Sequence, residues 1–247
     1  MEEKKSYYLY GMHPVTEAVL SGKSIEKVVF KQGLEGPQFR NLMALLKEKD
    51  VPCQFVPAER LNKIDKGGRS QGVVAYMAQI DYTPFEEAVE NAFRKSDAPV
   101  FVMLDGVSDV RNLGAIARTA ECAGVSAIIL PAKGGAAINA EAIKVSAGAL
   151  LRIDTCKTQN LRIPIYYLKE RGFQVVAATE KTDSLIYEAD FKQPTVIVMG
   201  SEGKGISDSV MKLCDAKVKI PMHGEIESLN VSVATSIILF EVVRQRL

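Results

Sequence analysis

The sequence predicts an α/β protein in which a largely parallel sheet, covered by helices on both faces, follows a smaller α/β unit. Three observations carry this. From Val100 onward, short apolar runs ending in turn residues alternate with stretches of helical periodicity. These runs are too short for helices and are apolar throughout, as strands buried on both faces are. Between residues 80 and 98 the rhythm changes, and a charged, proline-bounded segment intervenes.

Taken in order, YYLYGMHPVTEAVLSG reads as a short strand followed by a helix, and IEKVVFKQ as a strand. GPQFRNLMALLKEKD places Phe39, Leu42, Met43, Leu45 and Leu46 at helical spacing. VPCQFVP and QGVVAYMAQ are two further strands, separated by the glycine-rich loop DKGGRSQG with Lys66 and Arg69. TPFEEAVENAFRKSDAP reads as a linker helix. The expected boundaries are a first unit over 1–80, a linker over 81–98 and a second unit over 99–247. In that second unit VFVMLDGV, SAIILP, QVVAATE, TVIVMGSEG and AKVKIPM are strands. Helices are expected in NLGAIARTAECAG, NAEAIKVSAGAL, the run from Asn160 to Arg171, SDSVMKLCD and LNVSVATSIILFEVVRQR.

Composition sets bounds on function. At 47% hydrophobic and 25% charged residues, the chain of 247 residues is that of an average globular protein, which argues against disordered and fibrous classes. No apolar run approaches the roughly 20 residues of a membrane span. MEEKKSYYLYGMHP lacks the apolar core of a secretory signal, so a cytoplasmic location is expected. The four cysteines form no C-x-x-C pair, and with two histidines they offer no metal spacing; buried free thiols are expected. Net charge is +1, but residues 1–80 hold 12 Lys/Arg against 9 Asp/Glu, a weak local excess of positive charge.

Three segments stand at the carboxyl ends of expected strands, where parallel sheets bind ligands. They are SDVRNLGAIARTA, SEGKG and HGEIESLN. Each has a plain structural explanation. Asn112 could cap a helix, with Gly114 there for close packing and Arg118 on the surface. SEGKG could be a turn whose glycines take positive φ. Ser228 and Asn230 could cap the last helix. SEGKG is not a phosphate-binding P-loop, because the G-x-x-x-x-G-K-[ST] order is missing. His13 and His223 are bases by residue type, and both are read as structural.

Together, DGVSDVRNLGAIARTA, IVMGSEGKG and IPMHGEIESLNVSVA resemble the three ordered motifs of the SpoU (TrmH-like) family of RNA ribose methyltransferases, across about 150 residues. The segment before them resembles the small ribosomal-protein-like RNA-binding domain of that family. YGMHPVTEAV and NVSVATSIILFEVVRQR resemble the branch that methylates a guanosine ribose of large-subunit (23S-type) ribosomal RNA.

The resemblance implies S-adenosylmethionine as methyl donor, no metal, RNA as partner, a homodimer, and a trefoil knot at the carboxyl end of the fold. It implies Arg118 as the catalytic arginine, beside Asn112, Glu202, Ser228 and Asn230. Because a guanidinium is a poor base, electrostatic alignment is the role expected for Arg118, with Glu202 fixing that arginine or a ribose hydroxyl. It also implies that Gly200, Ile220 and Leu229 hold the donor, with Thr179, Met199 and Met222 as walls. The stripe Val231, Ala234, Ile238 and Val242, flanked by Ile237 and Phe240, suits a core or a partner helix. Val110 stands where the first motif usually has proline, and Ser70 where related sequences often have histidine. Transfer RNA as substrate, a dinucleotide-dependent oxidoreductase, and a non-catalytic RNA-binding module are the alternative readings. The oxidoreductase lacks its G-x-G-x-x-G.

Overall fold

The computed structural model describes residues 8–65, 67–226 and 228–247. The chain forms two compact units, Met1–Asp81 and Tyr82–Leu247. Tyr7 of the expected first strand and Lys66 of the glycine-rich loop lie outside the described residues.

The first unit runs β1 (Tyr8–Tyr10), α1 (Met12–Leu20), β2 (Ile25–Lys31), α2 (Pro37–Glu48), β3 (Cys53–Val56), α3 (Ala58–Ile64) and β4 (Val73–Met77). Its sheet order is β1-β4-β2-β3; β4 is antiparallel to both neighbours, and β2 is parallel to β3. Strand alternation sends Val28, Phe30, Val73 and Ala75 to one face, where they pack with Val15 and Val19 of α1 and Leu42 and Leu46 of α2. The opposite face carries Val29, Val56 and Val74 under Leu61 of α3. Helix α3 was not legible in the sequence. Leu61 is its single fully buried residue, so the seven-residue segment has almost no apolar period to read.

The second unit contains α4 (Phe85–Lys95), β5 (Val100–Asp105), α5 (Val110–Cys122), β6 (Ala127–Pro131), α6 (Ala140–Val145), β7 (Asp154–Thr158), α7 (Arg162–Glu170), β8 (Gln174–Ala178), β9 (Thr195–Gly200), α8 (Asp208–Met211), β10 (Ala216–Val218) and α9 (Val231–Gln245). Its six strands are all parallel, in the order β10-β8-β9-β5-β6-β7. On one face Phe101, Met103, Val175 and Val198 pack with Ile165 and Leu168 of α7 and Val210 of α8. The alternate residues Val102, Leu104, Ile128 and Ile197 are equally buried. On their side of the sheet, α5 lies against α9, and α9 against β9.

Four details differ from the sequence reading. The expected linker helix forms, as α4, but its Ala88, Val89 and Ala92 are buried in the second unit's core. Its charge is real but confined to the outer face. Strand β7 was missed because DTCKT buries only Thr155 and Cys156 and pairs at the sheet edge with β6 alone. The expected helix NAEAIKVSAGAL breaks after Val145, since Ala147 and Gly148 take φ of 51° and 84°; a 3-10 turn, Ala149–Leu151, follows. Helices α5 and α9 begin two residues away from the expected starts, at Val110 and Val231, for capping reasons that bear directly on the site.

Candidate active site

The carboxyl ends of the adjacent strands β10, β8 and β9 open onto a cavity of about 360 Å³. Thr179 follows β8, Met199 and Gly200 end β9, and Ile220 and Met222 follow β10; all five line it. Leu229 and Ser228 close it from the segment before α9, and Val231, Ala234 and Ile238 of that helix form its floor. The six residues expected to hold the donor thus line one cavity, together with Glu202 and Ser228. The wall is apolar at Met199, Ile220 and Leu229 and charged at Glu180, Lys181, Lys204 and Lys219. The sequence reading missed those charged residues, although Lys204 lies inside SEGKG and Glu180-Lys181 directly follow Thr179. Lys219 is partly committed, its Nζ donating to Asp183 at 3.1 Å.

Gly200 is fixed by space. A Cβ at this position would lie 2.2 Å from the backbone carbon of Gly205 and 2.3 Å from the nitrogen of Ile206. The close approach comes from the turn that follows, in which Ser201 and Gly205 exchange backbone hydrogen bonds of 3.1 and 2.9 Å. Gly203 and Gly205 take φ of 90° and 70°, conformations a side chain resists. The turn reading of SEGKG is therefore met, and the turn places Glu202 in the lining of the cavity. The backbone N–H of Ser207 donates to Asp105 at the end of β5, tying the far end of this loop to the sheet at 2.8 Å.

Glu202 gathers the two asparagines. Its Oε1 accepts from Asn112 Nδ2 at 3.0 Å and from Asn230 Nδ2 at 2.9 Å, and Asn230 Nδ2 also donates to Asn112 Oδ1 at 3.0 Å. Residues from three strand-end segments thus share one hydrogen-bonded cluster at the rim of the cavity. Asn112 is free for this because it is not the cap of α5. Asp109 is: its Oδ1 accepts from the backbone N–H of Arg111 at 2.7 Å and of Asn112 at 3.1 Å. Asn230 does cap α9, its Oδ1 accepting from the Ser232 N–H at 2.9 Å, while its amide nitrogen faces the cluster. One side chain performs both tasks. Ser228 precedes the cap by two residues and faces the cavity, not the helix.

Arg118 stands apart. It is exposed on α5, lines no part of the cavity, and among the described residues forms no hydrogen bond or ion pair. Six residues beyond Asn112, it is turned by roughly 240° around the helix. The pairing of Glu202 with Arg118 weighed in the sequence reading is absent from this chain; Glu202 is bound to the two asparagine amides. Gly114 is a packing glycine, since a Cβ there would sit 2.7 Å from Val145 Cβ. His13 and His223 are both exposed and lie outside the cavity lining.

None of the four cysteines is joined in a disulfide, and their burial is uneven. Burial, helped by Asp154 and Glu86, pushes the Cys156 thiol up to about 12; burial and Asp215 push Cys214 up to about 11. Cys122 is exposed at the end of α5, contrary to the expectation of four buried thiols. Among the described residues no group of three or more His, Cys, Asp or Glu is placed to hold a metal ion.

Two family models match the chain: the SpoU rRNA methylase family over residues 99–240, and the RNA 2'-O ribose methyltransferase substrate-binding domain over residues 8–83. The chain is 35% identical over 238 residues to a protein of Staphylococcus haemolyticus named for the TrmH family of tRNA/rRNA methyltransferases, covering 96% of this chain and 95% of the relative. Its structure is similar to the AdoMet-bound rRNA methyltransferase of Sinorhizobium meliloti, with a TM-score of 0.61, 28% identity, and coverage of 98% of this chain and 88% of the other. It is also similar to the TrmH/SpoU tRNA modifying enzyme of A. aeolicus, with a TM-score of 0.56, 34% identity, and coverage of 65% and 83%.

Proposed function

The chain belongs to the SpoU rRNA methylase family, and on that premise we propose that it methylates a ribose 2'-hydroxyl of RNA, at a guanosine of large-subunit ribosomal RNA. It is an RNA methyltransferase that uses S-adenosylmethionine as methyl donor. The observation that carries the ribose reading is the Asn112–Glu202–Asn230 cluster, which sets hydrogen-bonding groups at the rim of the cavity.

The cavity suits the donor. Its volume falls within the range of small-molecule sites. The bare backbone at Gly200 lets the following turn close directly against the end of β9, which shapes this side of the cavity. Met199, Ile220 and Leu229 would hold the adenine, and Thr179 and Met222 would close the wall. When bound, the donor would supply an electrophilic sulfonium methyl, whose transfer to the ribose oxygen would release a neutral thioether and the hydroxyl proton. The protein's part is alignment. Glu202 and the two amides would orient the ribose, with Ser228 beside them at the cavity mouth. Their mutual bonds hold the three side chains in place before RNA arrives.

Arg118 is read as acting across a homodimer, aligning the RNA phosphate in the partner's site. Its separation from the cluster in its own chain supports this. So does α9, which leaves Val233 and Phe240 about half exposed on a helix packed against α5, where Arg118 lies. The first unit is read as the RNA-binding domain, and the final segment as threaded in a trefoil knot. The knot rests on the family resemblance.

The test is direct. Full-length protein is incubated with methyl-labelled donor and either unmodified ribosomal RNA or transfer RNA, and the label is mapped. Label on a guanosine ribose of the large-subunit RNA is expected. Label on transfer RNA alone would move the assignment to the second substrate, and label on a base would remove the ribose reading.

A further inference from the structure

We propose that the tyrosine-bearing face of the first unit's sheet is a stacking platform for unpaired bases of the RNA substrate. This rests on the reading of the chain as an RNA methyltransferase and adds which surface meets the RNA and in what form.

The strand register builds the platform. Tyr8 of β1 pairs with Tyr76 of β4, and Tyr76 pairs with Lys27 of β2, so three side chains form a row on one sheet face. Tyr10 shares that face by alternation with Tyr8. The Tyr8 and Tyr76 rings meet edge to face at 4.9 Å, and Tyr8 and Tyr10 lie 6.2 Å apart. Helix α3 covers this face through Leu61, over Val29, Val56 and Val74, and Tyr10 and Tyr76 pack at the border of that cluster. Tyr8, on the sheet's edge strand, is 37% exposed.

Positive charge is interleaved with the rings. The Lys27 ammonium sits 4.6 Å from the Tyr76 centroid, and the Arg69 guanidinium 5.1 Å from that of Tyr10. Arg60, exposed on α3, is close enough for its charge to act on Tyr76. Among the described residues no carboxylate forms an ion pair with Lys27, Arg60 or Arg69. Rings that can take a base face, with uncompensated cations placed for the phosphates, suit a single strand. Paired bases in a duplex keep their faces buried in the stack and could not use the rings.

The full-length protein is titrated with a fluorescein-labelled oligouridine of about a dozen nucleotides and with an RNA duplex of equal length. Tyr8→Leu is expected to weaken oligouridine binding about 5- to 150-fold, and Tyr8→Phe to leave it nearly unchanged. Lys27→Gln is expected to weaken binding and flatten its salt dependence by about one phosphate contact. Binding of S-adenosylmethionine should not change in any variant. Should Tyr8→Leu lower the melting temperature, ultraviolet cross-linking of the unaltered protein to oligouridine decides, with adducts expected on Tyr8 or Tyr76. Unchanged affinity in a folded Tyr8→Leu protein, tighter binding of the duplex, or adducts confined to the second unit would overturn the proposal. If no RNA accepts a methyl group, the functional reading fails instead. If RNA is methylated with the same KM in Tyr8→Leu, the platform alone falls.

Discussion

Asn230 donates its side-chain amide to Glu202 Oε1 at 2.9 Å while its own Oδ1 caps helix α9 at the Ser232 N–H. A helix start and a polar cluster therefore depend on one residue, and the two roles can be separated chemically. Asn230→Asp keeps the capping oxygen and removes the amide. Its stability should stay within about 1 kcal/mol of the unaltered protein, while methyl transfer falls at least about tenfold. Asn230→Ala should lose the cap as well, a further cost of about 1 kcal/mol. Thermal melting and turnover, measured side by side, check both.

Glu202→Ala leaves the Asn112 and Asn230 amides without their shared acceptor. Hydrogen bonds to a charged group are worth enough that methyl transfer should fall about 10- to 100-fold. Donor affinity, read by calorimetry, should change far less, because the apolar wall is intact. A variant with unimpaired turnover would remove Glu202 from the reaction.

Gly200→Ala forces a methyl group into the backbone of Gly205 and Ile206, with no flexible side chain there to yield. Donor affinity is expected to drop more than about tenfold, with a lower melting temperature, since overpacking typically costs about 1–3 kcal/mol.

The shared-site reading of Arg118 has a complementation test. Arg118→Ala and Glu202→Ala proteins should each keep no more than about a tenth of full activity. Mixed and re-associated, they should recover about a quarter of full activity, because half the dimers then hold one complete site. No recovery from a demonstrated mixed dimer would place Arg118 in its own chain's site.

Glu241 is buried on α9, where bonds from Arg244, with help from Gln245, hold its carboxyl below the ordinary value of 4.5 against the opposing effect of burial. A lowered native value means that the unfolded chain takes up protons first. The stabilisation is therefore complete above about 4.5 and is lost as pH falls through the native value. Melting temperature against pH should decline less steeply on the acid side for Glu241→Gln than for the unaltered protein.

The sequence by itself determined the α/β rhythm, the parallel sheet and the three strand-end segments, because short apolar runs and glycine turns are local patterns that survive in one dimension. The six expected cavity residues were legible for the same reason: each adjoins the end of a readable strand or helix. Tertiary structure decided what those patterns could not carry. Asp109, three residues before the expected start, took the cap of α5 and so released Asn112 toward Glu202, 90 residues away. The charged segment became core helix α4 because one narrow face met Phe101 and Phe173. Helix α3 and edge strand β7 expose too much of their length for hydrophobic periodicity to mark them. Local propensity fixes where an element can form. Which of two neighbouring polar residues caps a helix, and which is left for chemistry, depends on what the rest of the chain brings within hydrogen-bonding distance.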